Sequence, residues 1–127
     1  MNDDQYLEHC RGLLAEFATA LLARTENLPE ADPLRELAES FSALGSSSED
    51  FYARGPALID RLFTTYTDFA PTLPRELLWF FGGDCLHYMP DEEIAQFQQL
   101  EEMRLEAASR GEIFNLRDAR AKLLNLQ

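Results

Sequence analysis

The chain has 127 residues, 46% of them hydrophobic and 27% charged, which suits one soluble globular domain with a core that needs neither disulfide nor metal. Eleven Lys and Arg against 23 Asp and Glu leave a net charge of −12, so a nucleic-acid backbone or an anionic membrane would be repelled. The acids are spread along the chain rather than arrayed on one segment, which argues against a nucleic-acid mimic.

No apolar run approaches the roughly 18–20 residues of a membrane span. The N-terminus, MNDDQYLEHC, carries two acids where a signal peptide carries Lys or Arg, and no apolar segment follows. The expected compartment is therefore the cytoplasm, where Cys10 and Cys85 would be free, core-packed thiols.

The fold class is expected to be all-α. There is no valine, and three isoleucines stand against 21 leucines, a composition that favours helix over strand. The reading is a compact bundle of five to six helices in a single helical domain, 1–127, with a short central apolar helix. The first helix spans about residues 3–25, with Tyr6, Cys10, Leu13, Leu14, Phe17, Leu21 and Leu22 at helical spacing. Asp32 is a good N-cap and Pro33 suits the first helical position of a second helix, which runs to about Leu44. Its stripe is Leu34, Leu37, Phe41 and Leu44, and Gly45 is expected to stop it.

Ser47, three residues before Asp50, has capping-box spacing for a third helix reaching Phe69. Pro56, after Gly55, should kink or split it, and Phe51, Tyr52, Leu58, Ile59, Leu62, Phe63 and Tyr66 should form its buried side. Pro74 opens a fourth helix, PRELLWFF, apolar on every side from Leu77 to Phe81 and so expected to be the most buried element. After Gly82 and Gly83, a fifth helix runs from about Pro90 to Arg110, with Asp91, Glu92 and Glu93 opposing the positive end of its dipole. Its inner stripe is Ile94, Phe97, Leu100, Met103 and Ala107, and a final helix covers about 115–124. Residues 84–102 hold six acids and no base, while five bases lie in 104–122, so the two segments should attract each other.

Chemistry-bearing residues concentrate in GGDCLHYMPDEE, residues 82–93. A zinc site would have to combine His9 and Cys10 with Cys85 and His87. Adjacent helical residues diverge by about 100°, however, and neither pair has the usual ligand spacing. Asp84 and His87 have the i, i+3 spacing of half a di-iron motif, but the second half is missing. A Cys85 nucleophile with a His87 base is disfavoured because residues two apart in a helix face nearly opposite sides. No phosphate-binding or dinucleotide-binding glycine pattern is present. Each residue has a structural role: Gly82 and Gly83 stop the fourth helix, Leu86, Tyr88 and Met89 pack back, and Pro90 restarts the chain as helix.

The stretch GGDCLHYMPDEEI resembles that of a group of small, acidic, uncharacterised bacterial proteins, some carrying a loose dehydrogenase label. The likeness centres on residues 77–94 and implies no catalytic residues. Ten arginines against one lysine also suit a bacterial source. The resulting expectation is a non-enzymatic protein without cofactor that binds a protein partner or itself, as a homodimer. The alternative is a bundle holding a small ligand or metal near Trp79, Cys85 and His87. Trp79, Asp84, Cys85, His87 and Tyr88 are the candidate ligand or interface residues.

Overall fold

The computed structural model describes residues 3–46, 50–112, 114 and 119, and among them every regular element is helical. The α-helices are α1 (Asp3–Thr25), α2 (Pro33–Ser46), α3 (Phe51–Thr65), α4 (Arg75–Phe81) and α5 (Asp91–Ser109). A 3₁₀ turn, Ala70–Thr72, precedes α4, and a 3₁₀ helix, Gly83–Tyr88, follows it. Of the expected helix at 115–124 only Ala119, helical and buried, is among the described residues, and Ser47 of the capping box lies outside them. Packing gathers the chain into two units, Cys10–Tyr88 and Met1–His9 with Met89–Gln127, so α1 contributes to both.

In the Cys10–Tyr88 unit, α1 buries Leu14, Phe17 and Leu21, one turn apart on a single stripe. Helix α2 starts as its sequence dictates: the Asp32 carboxylate accepts the Leu34 N–H at 2.9 Å, and Pro33 opens the first turn. It buries Leu37, Phe41 and Leu44, and Phe41 meets Phe17 edge-to-face with centroids 5.2 Å apart. Each such side chain contributes about 1.5–3 kcal/mol by leaving water. Gly45 does not stop α2, contrary to expectation. It remains in the last turn, where a Cβ would lie 3.6 Å from the Ala15 backbone of α1.

Helix α3 is continuous through Pro56 rather than split. Pro56 lies in the second turn, so its missing N–H removes only the bond to the Tyr52 carbonyl. Buried Phe51, Ile59 and Leu62 hold the segment on both sides. The helix ends at Thr65, four residues before the expected Phe69, with the Tyr66 N–H closing on the Leu62 carbonyl at 2.9 Å. Helix α4 is covered only on one side: Leu77 and Leu78 are fully buried, whereas Trp79, Phe80 and Phe81 are half-buried. Two turns surrounded by apolar residues present more surface than the neighbouring elements cover.

In the other unit, α5 begins after Pro90, and Asp91, Glu92 and Glu93 occupy its first turn as expected. Its buried residues are Phe97, Leu100, Arg104 and Ala107. The expected Met103 is 37% exposed, and Arg104 takes its place in the stripe at 5% exposure. At 100° per residue Arg104 points within about 40° of Leu100 and 20° of Phe97, inside the stripe, while Met103, about 120° from Phe97, lies at its edge.

Candidate functional site

Gly82 ends α4 with φ 62° and ψ −152°, a region essentially reserved for glycine, and its N–H caps the Leu78 carbonyl at 3.0 Å. The chain then winds into the 3₁₀ helix, where three residues complete a turn. Asp84 therefore stacks above His87 and Cys85 above Tyr88, while Cys85 and His87 diverge by about 120°. Their burial follows this geometry: Cys85 is buried and His87 exposed. Burial, reinforced by the negative charges of Asp60 and Asp84, pushes the Cys85 thiol up to about 11. At neutral pH it is a protonated core thiol, not a nucleophile.

Tyr88 is the organising residue of this turn. Its hydroxyl donates to the Asp60 carboxylate, and its ring stacks on Phe63 with centroids 4.4 Å apart. The bond to Asp60 is the main reason the phenol is pushed up to about 12, with burial second. The Arg75 guanidinium donates to the Tyr88 carbonyl at 2.8 Å and ties α4 to the end of the turn. Of the five candidate residues, Asp84, Cys85 and Tyr88 thus share one electrostatic neighbourhood with Asp60, a residue that no motif in the sequence singles out. Trp79 is half-buried on α4, and His87 points to solvent.

At the N-terminus, His9 stacks on Tyr6 with centroids 6.2 Å apart, whereas Cys10 is buried. Among the described residues no three His, Cys, Asp or Glu side chains gather to hold a metal ion. An open cleft of about 230 Å³ lies along α1, lined by Leu13, Phe17, Arg24, Thr72 and Pro74 among others. It includes none of Trp79, Cys85 or His87.

Two aromatic arrangements were not anticipated. Phe51, Tyr52, Phe80 and Phe81 form a cluster between α3 and α4, with Phe51 and Phe81 centroids 5.2 Å apart and Tyr52 stacked on Phe80 at 5.0 Å. Gly55 is what lets the cluster close, because a Cβ there would lie 2.3 Å from the Phe81 ring. Tyr52, expected on the buried side of α3, is 60% exposed. It lies about 60° from Gly55 and 100° from Phe51 around the helix, and so falls at the edge of the buried face.

The second arrangement centres on Arg104. Its guanidinium lies 4.8 Å from the centre of the Tyr6 ring and 3.1 Å from the Asp3 carboxylate. Glu101, in the acidic segment expected to attract the bases, is 3.9 Å away, and Arg110 pairs instead with Glu106 and Glu112. The signal was present in the sequence, since Arg104 is seven residues from Phe97, four from Leu100 and three from Ala107. Following hydrophobicity alone led to Met103.

No curated protein and no solved structure matches the chain. The family that matches carries no named activity and so gives the dehydrogenase label no support. That match runs over residues 2–127 and is not confined to the turn at 82–93: the chain belongs to the PA2817-like family.

Proposed function

We propose that this protein acts without catalysis, by binding another protein or a second copy of itself through the aromatic edge of α3 and α4. The observation that carries the reading is Tyr52, 60% exposed yet stacked on half-buried Phe80. Rigid aromatic surface of this kind is concentrated in protein interfaces, where it adds contact area at low entropic cost. The neutral, buried Cys85 thiol and the separation of Cys85 from His87 support a non-enzymatic reading of the turn. A bacterial cytoplasmic setting belongs to the same proposal and rests on two free, buried cysteines and the arginine-rich composition.

Native mass spectrometry of protein purified from its own host, paired with sedimentation equilibrium at low and moderate salt, tests the reading. A dimer or a stoichiometric partner complex is expected, and Tyr52→Ala should dissociate it. A single species near 14.5 kDa in both experiments, with nothing bound, overturns it.

A further inference from the structure

Tyr52, Pro56 and Phe63 lie within about 40° of one another around α3, and Asp60 about 80° from Tyr52. The strip has an aromatic stack at each end, Tyr52 on Phe80 and Phe63 on Tyr88. Most of its charges are acidic, although the Arg75 guanidinium of α4 also reaches this turn, at the Tyr88 carbonyl. Asp60 is exposed and holds Tyr88, Asp84 raises the pKa of the same tyrosine, and Glu76 is one turn before Phe80 on α4. The two bases of α3, Arg54 and Arg61, project about 160° and 180° away from Tyr52.

The molecule itself shows what an aromatic ring beside a carboxylate accepts. The Arg104 guanidinium lies over Tyr6, 4.8 Å from the ring centroid, while pairing with Asp3. Arg11 lies 5.8 Å from the centre of Phe51, within the cluster that Tyr52 extends to the surface. A guanidinium matches both demands of such a site, because its plane stacks on the ring and its N–H fork meets a carboxylate.

We propose that the Tyr52–Phe80 stack and the acids Asp60, Glu76 and Asp84 form a docking strip for an extended, arginine-bearing segment of a basic partner protein. One arginine stacks on Tyr52, and a second pairs with Asp60 and Asp84. Tyr52 and Asp60 are eight residues apart on α3, about 12 Å, which an extended chain spans in about four residues. The occupant is thus a segment with two arginines four positions apart. This inference rests on the interaction reading above, but it names the partner's chemistry. A second copy would carry the same −12 charge and would bind more tightly as salt is added, whereas a basic segment binds more weakly.

The test is a titration of the full chain, followed by backbone-amide NMR, with a capped five-residue peptide of arginine, Ser-Gly-Ser and arginine. The controls are the same peptide with lysine or norleucine at both ends. The arginine peptide should shift amides of α3 and α4. It should bind about threefold tighter than the lysine peptide, and much tighter than the norleucine one. Affinity should fall about fivefold between low and moderate salt. Tyr52→Ala and Asp60→Asn should each weaken binding at least about fivefold, with unchanged circular dichroism. Because Asp60 also holds Tyr88, Glu76→Gln provides a variant outside that bond and should weaken binding by a smaller factor.

No binding overturns the proposal, as does equal affinity for lysine and arginine peptides that Tyr52→Ala leaves unchanged. If the peptide fails while sedimentation shows a salt-strengthened dimer, the interaction reading stands and a second copy occupies the strip.

Discussion

Tyr6 with Asp3, and the Tyr52–Phe80 stack with Glu76 and Asp60, are built from the same two components, an aromatic face and a carboxylate, yet they are used differently. The first is occupied from within: Arg104 lies over Tyr6, meets Asp3 and is 5% exposed. The second leaves Tyr52 60% exposed at the surface. The difference arises from chain geometry. Helix α5 carries its arginine in the middle of its buried stripe, whereas α3 turns both of its arginines away from Tyr52. A buried cation needs its partners for the fold to tolerate it, while an exposed aromatic stack adds little to the fold.

The comparison can be broken most forcefully at Gly55, beneath the exposed cluster. Gly55→Ala would gain helix propensity but drive a methyl group into Phe81, and a net loss of about 2–3 kcal/mol is expected in denaturant melts. A variant as stable as the parent would mean that Phe81 does not pack on α3. Arg104→Ala, at the occupied site, should cost about 2 kcal/mol through the lost stem packing and ring contact. Asp3→Asn should cost under about 0.5 kcal/mol, because that carboxylate is mostly in water. If the two variants prove equal, the ion pair rather than the burial of Arg104 organises the site.

Between the aromatic cluster and the Tyr88 turn, Gly82→Ala should cost about 1–2 kcal/mol, since alanine cannot comfortably adopt φ 62° with ψ −152°. Gly83→Ala should cost less, its φ of 52° lying in the left-handed region that other residues visit and its Cβ position being open. A larger loss at Gly83 would contradict this account of how α4 ends. The turn should also be sensitive to alkali. Cys85 ionises at about 11 in the folded chain against an ordinary 9.0, so the unfolded chain loses its proton first. Its stabilising effect is complete below pH 9 and is lost as pH rises towards 11, by about 1 kcal/mol after solvent screening. Melts of the parent and Cys85→Ala across that range should converge if Cys85 is responsible, and parallel curves would exclude it.

The exposed ring should also matter little for stability. Tyr52→Ala should change stability by no more than about 0.5–1 kcal/mol while abolishing association. A loss comparable to that of Arg104→Ala would show that Tyr52 is a core residue and remove the basis for an interface.

The all-α class was legible from composition, and the ends of α1, α4 and α5 and the start of α2 from local chemistry. Asp32 and Pro33 begin a helix by hydrogen bonding and fixed φ, and Gly82 ends one through a conformation open to few other residues, whatever the rest of the chain does. The separation of Cys85 and His87 was legible too, because residues two apart diverge widely in any helical backbone. What the sequence did not disclose depended on neighbours distant along the chain. Gly45 carries the signal of a helix stop but stays helical against Ala15, and Pro56 is tolerated because Phe51, Ile59 and Leu62 are anchored around it. Arg104 is polar by composition and buried because Tyr6 and Asp3 meet it. Tyr52 is aromatic by composition and exposed because Phe81 occupies the space over Gly55. Hydrophobicity ranks a residue's preference for the core, but which side chains reach it is decided by the surface that other helices bring to each face.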